Sequence, residues 1–546
     1  MFKGHPKGLY VAFFSNMGER FGFYTMMAIL VMFLQAKFDL SASDAGVIYS
    51  IFYFSIYALA LLGGFIADKT QNYKGVISIG IIVMFAGYVI MAVPGMGLIV
   101  SLVGLFTIAF GNGLFKGNLQ ALVGQMYDAP EYSKLRDTAY SIFYMGINVG
   151  AFFAPNAAKA IRTWYLESNG FRYDADLPSL CNQLINGSLK ETSKLQELAN
   201  SVSGSMVTDL STFAHKYIDV FSVGYNYAYT IAAGAMLVSL LIYLLFKKHL
   251  PDRRALKAQN AAITEMPKEE EKKRMIALGL VFLVVIFFWM SFHQNGLTMT
   301  YFARDYTVKA VDPVTNLFFN VFSFIALFAA IYGLFYLVKK TSTTKHRMIG
   351  AALLVGGGTA AYLFYKGFSA SNPIEPETFQ HFNPLFIVLL TPLVVGVFAY
   401  LRKNGKEPLT PRKIGIGMVL AAVGFSFLIL GSSGLISPAD LAGQPSPDRV
   451  SPYWLINTYF ILTVAELFLS PMGISFVSKV APPRFQGLMQ GGWLGATAIG
   501  NQLLFVGSSL WVVAEVWQVW TVFVVCCLLS AAFIFSIMKR LEAVAK

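Results

Sequence analysis

Apolar runs of about twenty residues recur along the whole chain, the length that one helix needs to cross a bilayer. Fourteen are read, at about 9–35, 44–67, 76–95, 99–126, 138–160, 224–246, 275–301, 316–338, 348–365, 383–401, 414–432, 453–478, 486–510 and 515–538, with mostly short polar segments between them. The pattern predicts an all-α integral membrane protein. A transmembrane barrel would show shorter segments of alternating polarity. The first run keeps Glu19 and Arg20 and lacks a small-residue cleavage site, so it reads as a retained helix and not as a signal peptide.

The excess of 42 Lys and Arg over 29 Asp and Glu could suggest nucleic acid, but position argues otherwise. The cations gather in alternate loops such as "KKHLPDRR", "VKKTSTTKHR" and "LRKNGKEPLTPRK". The short loops of the other side hold Lys37, Arg304, Lys309, Lys366 and Arg449. This asymmetry places both termini in the cytoplasm. A bacterial inner membrane fits, with the lipid bilayer as the partner and no nucleic acid. Cys526 and Cys527 lie in the last run and Cys181 stands alone outside, so no disulfide, metal site or cofactor is implied. No nucleophile–base set points to an enzyme.

Six runs precede a charged linker at 248–274 and eight follow it. The expected division is an N-terminal bundle over 1–247, that linker, and a C-terminal bundle over 275–540. Two six-helix halves joined by a cytoplasmic loop form the major facilitator plan, in which the halves rock about a site near the midplane. Two runs, within 316–365, are surplus. The outer segment at 163–223 reads as short amphipathic helices that could cap the molecule or bind an unknown partner.

Charge inside the membrane is costly and usually faces a bundle interior or a wet cavity. Glu19 and Arg20 stand in the first run, with Asn16, Phe23 and Tyr24 at helical spacings from Arg20. Lys116 lies about 16 Å from the cytoplasmic end of its helix, too deep to snorkel easily. Glu466 in "TVAELFLSPMGISF" is the expected partner for Lys116 across the two halves, since each charge alone is expensive. "GGFIADKTQNYKG" resembles the major facilitator loop motif, giving Asp68 and Lys69 a conformational role.

In order along the chain, "NMGERFGFY", "GLFKGNLQALVGQMYD", "FYMGINVGAF", "FFWMSFHQNG", "FNPLFIVLLTP" and "AELFLSPMGISFVSKVAPPRFQGLMQGGWL" resemble motifs of the proton-dependent oligopeptide transporter family. The resemblance implies that Arg20 and Lys116 hold a peptide carboxylate. It implies that Glu466, Asn148 and Asn383, with Tyr24, Tyr57 and Ser470, serve its amino end and the polar cavity. Trp289, Trp454, Trp493 and Phe23 would line side-chain pockets. The chain also departs from the family. Asn16 replaces the first Glu of the first-helix motif, Met27 an Arg and His293 the helix-seven Glu. Because those last two are gate partners in the family, their joint loss suggests a rewired site, with Glu19, His293 and Glu466 left to couple protons. The surplus helix pair falls between the helix-seven and helix-eight motifs, an unusual place for it. The expected function is import of di- and tripeptides with protons by alternating access. The alternatives are another small anionic or zwitterionic solute, or a non-transporting sensor that uses the outer insert.

Overall fold

The computed structural model describes residues 4–127, 131–132, 135–251, 266–339, 343–482 and 485–545. The first half comprises α1 (Gly8–Phe38), α2 (Ala42–Thr70), α3 (Tyr73–Ala92), α4 (Leu98–Met126) and α5 (Arg136–Ser168), then α6 (Leu177–Ile185) and α7 (Ser193–Ser203) on the outer side, and α8 (Leu210–Phe246). Beyond the linker come α9 (Lys268–Phe292), α10 (Thr298–Tyr306), α11 (Pro313–Phe319), α12 (Val321–Val338) and α13 (Thr344–Gly367). The chain ends with α14 (Phe382–Lys403), α15 (Thr410–Gly431), the one-turn α16 (Pro438–Leu441), α17 (Tyr453–Val480), α18 (Gln486–Gln502), α19 (Phe505–Trp511), α20 (Val516–Ser536) and α21 (Met538–Ala545). A two-residue antiparallel ribbon pairs β1 (Ala310–Val311) with β2 (Asn372–Pro373) on the outer side. Most of the linker, 252–265, lies outside the described residues.

Polar residues at the run boundaries set several helix starts. Ser41, Asn72, Asp209, Asp312, Asn320 and Thr343 each accept a backbone N–H from the first turn of the helix that follows. Among the described residues, eleven helices are long and apolar enough to cross a bilayer, and Tyr453–Leu469 is a shorter apolar one. Length and composition therefore do not reach the expected count of fourteen spans. Helices α5 and α8 also run past the predicted membrane segments into the outer insert, where α6 and α7 are the short helices expected.

In the first half α1 packs on α5 and α8, while α4 packs on α2 and α3. Gly63 permits the α2–α4 contact, because a Cβ there would lie 2.1 Å from the Gly113 carbonyl oxygen. In the second half α15 packs on α17 and α20, and α9 on α18. Between halves, α2 meets α18 and α19, and α5 meets α14 and the 3-10 turn Pro376–His381. The surplus pair, α12 and α13, packs mainly on itself, and Phe324 of α12 also meets Phe152 of α5 at 6.3 Å.

Two predicted runs are broken. The seventh, expected to be continuous, ends as α9 at Phe292, passes through a 3-10 turn (His293–Gly296) and resumes as α10. The thirteenth breaks between α18 and α19. The breaks face each other and satisfy one another. Gln294 Nε2 donates to the carbonyls of Met290 (3.2 Å) and Leu504 (3.1 Å), and its Oε1 accepts from Thr298 (2.8 Å). Irregular backbone at membrane depth persists where buried protein groups replace the missing ladder.

Candidate functional site

Helix α1 buries Glu19 and Arg20 side by side, joined by two charge-assisted bonds of 2.5 and 2.6 Å. Asn112 of α4 donates a third bond to Glu19 at 2.6 Å. The Arg20 guanidinium lies 4.5 Å from the centre of the Phe23 ring. Arg20 is thus held by its own neighbour on the same helix. Asn16 and Met27 are buried on α1 as well.

Lys116 does not pair with Glu466. Its ammonium sits 4.2 Å from the centre of the Tyr57 ring and, among the described residues, makes no ion pair or hydrogen bond. Glu466 instead accepts from Asn383 at 2.9 Å, and Asn383 also donates to Thr463 at 3.1 Å. The expected bridge fails because each charge finds stabilisation inside its own half, one on an aromatic face and the other from an amide. Asn148 donates to the Tyr144 carbonyl at 3.0 Å, one turn back on its own helix. Tyr24 is half-buried beside Phe23.

His293 occupies the break in the seventh run. Its Nδ1 lies 2.5 Å from Asn501 Oδ1, and its ring is stacked on Trp289 at 4.7 Å and set against Tyr53 of the opposite half at 4.6 Å. Trp493 fills the space beside Gly473, where a Cβ would lie 1.8 Å from its ring. Trp454, partly exposed, packs on Gly431 and Phe427 of α15. The Ser470 side chain lies outside the described residues. Asp68 accepts from the Tyr73 hydroxyl, and Lys69 is exposed beside it at the end of α2.

Sequence reasoning missed the seal between the halves. Among the described residues, every side-chain hydrogen bond across the halves lies toward the end of the bundle that carries α6 and α7. Arg162 of α5 binds both Glu375 and Glu377 ahead of α14. Asn156 meets His381 at 3.2 Å, Arg304 donates to Gln35 at 2.7 Å, and Tyr301 donates to the Ala42 carbonyl at 3.0 Å. The outer segment adds a strap. Lys309 reaches Asp174 (2.7 Å) and Asp176 (2.6 Å), and Arg449 reaches Asp176 at 2.8 Å. A cavity of about 400 Å³ lies on this outer side, lined by Gln35, Asp39, Asp176, Asn182, Arg304 and Trp511 among others. The one visible signal was a set of charges flanking apolar runs, "AIRTW" and "IEPETFQHF".

Two helical halves bonded to each other at the end that carries α6 and α7, with buried charge on α1, α4 and α17, have the build of a rocker-type carrier. A family model described as the POT family matches residues 74–264 and 365–520. The chain belongs to the POT family. The peptide transporter YePEPT of Yersinia enterocolitica is similar at 27% identity, over 92% of this chain and 87% of that protein. Dipeptide and tripeptide permease A of Escherichia coli K12 is similar at 25%, over 91% and 82%. The uncharacterized transporter YclF of Bacillus subtilis is similar at 28%, over 92% and 87%. A solved peptide transporter POT in complex with sulfate shares the fold, with a TM-score of 0.67 and 21% identity over 100% of this chain and 97% of that one. So does a POT family transporter in complex with 5-aminolevulinic acid, at 0.67 and 18% over 99% and 98%. The interval between the two POT matches holds α9 to α13, including His293 and the surplus pair.

Proposed function

We propose that the protein imports di- and tripeptides with protons, by alternating access of the two halves. The carrying observation is the separation of charge. Lys116, with no ion partner among the described residues, and the Glu19-held Arg20 stand on one half, and Glu466 with Asn383 on the other. A zwitterionic peptide supplies the missing ions, its carboxylate to Lys116 and its ammonium to Glu466. Protonation of Glu19 would release Arg20, whose planar fork then offers the carboxylate a second, bidentate hold. His293 and Glu466 are the other groups that can carry the proton through the membrane. The names of the curated relatives support a peptide substrate.

This reading keeps the division into 1–247, 248–274 and 275–540, and an inner-membrane setting with both termini in the cytoplasm. The testing measurement is dialanine uptake into proteoliposomes with and without an inward proton gradient. Accumulation above equilibrium only with the gradient supports symport. Equilibration regardless of the gradient makes the protein a uniporter or exchanger. Absence of uptake moves the substrate to another small zwitterion or anion. With symport in hand, His293→Ala is expected to lose gradient-driven accumulation, and full retention would remove His293 from the proton path.

A further inference from the structure

Among the described residues, the most deeply buried ion cluster joining the two halves is Arg162 with Glu375 and Glu377. Arg162 and Glu377 are fully buried, and Glu375 nearly so. The two carboxylates are not equivalent. Glu375 also faces Lys159 at 3.9 Å, a side chain 26% exposed, and the Thr163 hydroxyl at 3.4 Å. Among the described residues, the ion-pair partner of Glu377 is Arg162, with Lys159 a more distant charge. Glu377 Oε2 is buried without a hydrogen-bond partner, as are Thr378 Oγ1, Arg162 Nε and the Tyr173 hydroxyl. Tyr173 and Tyr225 complete the wall, with the Arg162 guanidinium 3.9 and 5.5 Å from their ring centres.

Four residues beyond Glu377, at the end of the same 3-10 segment, stands His381, buried at the seal. Its Nε2 lies 3.1 Å from the Phe318 carbonyl, which can only accept, so that nitrogen carries the hydrogen. Nδ1 is therefore the basic nitrogen, and the Asn156 amide donates to it from the opposite half. Two residues further, Asn383 is bonded to Glu466. Glu377, His381 and Asn383 thus follow one another along the chain into α14, and Asn383 reaches Glu466.

We propose that Glu377 is the carboxyl that takes up the external proton when the outer side opens, and that His381 receives it when the side closes. This deepens the symport reading and rests on it. Opening carries α5 away from α14, so Arg162 and Lys159 withdraw and leave Glu377 with no counter-charge. An O–H bond forms at Glu377 with a proton from external water. On closure Arg162 returns, the Glu377 O–H bond breaks and an N–H bond forms at His381 Nδ1 in place of the hydrogen bond from the Asn156 amide, leaving Glu377 anionic beneath the guanidinium; release of that proton inward restores the Asn156 bond seen here. A buried ion cluster tolerates neither an unpaired carboxylate nor an unpaired arginine, which ties protonation to opening.

The test is dialanine transport in proteoliposomes loaded with a pH-sensitive dye, comparing gradient-driven accumulation with peptide exchange in the same vesicles. For Glu377→Gln the ratio of accumulation to exchange is expected to fall about tenfold, within the range of ordinary coupling between sites. His381→Gln should lower it similarly, and Glu377→Asp should restore it. If wild type accumulates and both Gln variants keep the wild-type ratio, the proposal is overturned while symport stands. If Glu377→Asp fails as Glu377→Gln does, Glu377 is structural and the proposal is overturned. If wild type itself does not accumulate, the symport reading falls first. Should Glu377→Gln not fold, the ratio in His381→Gln and Glu377→Asp decides.

Discussion

Two buried arginines serve opposite ends of the mechanism. Arg20 finds its carboxylate at the next position of the same helix, so the pair moves as one body however the halves rock. Arg162 finds its two carboxylates on the other half, so separation of α5 from the approach to α14 would break its pairing. Similar chemistry therefore does different work. An intrahelical pair keeps its two charges together wherever its helix moves. An interhelical cluster converts the position of the halves into electrostatic energy.

Removing the cations gives the largest expected effects and tests the contrast directly. Arg162→Ala strands Glu377, leaves Glu375 only Lys159 and Thr163, and should cost about 3–5 kcal/mol, the scale for breaking a buried pair. Thermal unfolding reads that loss, and labelling of a cysteine introduced at Ser43, which meets Ser509 across the seal, should become faster from outside. Arg20→Ala strands Glu19 and should lose similar stability without changing that labelling. Equal labelling in the two variants would erase the distinction.

Lys116→Ala should leave the seal intact and weaken peptide binding by about 1.5–3 kcal/mol, a hydrogen bond to a charged group, seen as a raised KM for dialanine. Gln294→Ala unties the two helix breaks and should cost about 1–2 kcal/mol of thermal stability through buried carbonyls left unpaired. The smallest effect belongs to the outer strap. Asp176→Asn should cost less than about 1 kcal/mol because its ion pairs are partly exposed. High salt should erase the difference from wild type.

Much of the architecture is legible in sequence because the bilayer imposes one length and one polarity on every spanning helix. The same logic singles out Glu19, Arg20, Lys116 and Glu466, since charge at depth demands an explanation. Partnership is not legible. Lys116 and Glu466 look complementary, yet Tyr57 and Asn383 are nearer at hand. Arg162, Glu375 and Glu377 sit at the margins of apolar runs, where any charge reads as interfacial until the topology brings α5 against α14. The breaks at His293 and after Gln502 were hidden for a related reason. Hydropathy records how apolar a run is and not whether its hydrogen-bond ladder is continuous, and Gln294 closes the gap with a side chain.

The α12–α13 pair has a further consequence, for how such a chain is built. Its two helices approach until a Cβ at Gly333 would lie 2.5 Å from the Gly350 carbonyl oxygen, and one at Gly357 2.5 Å from that of Ala326. Small residues that bring backbones this close give a helical hairpin its own adhesion in lipid. A hairpin that coheres by itself can leave the translocon as one unit and dock late. Because it packs mainly on itself, such a hairpin is a unit that could be removed in frame while the halves on either side keep their register.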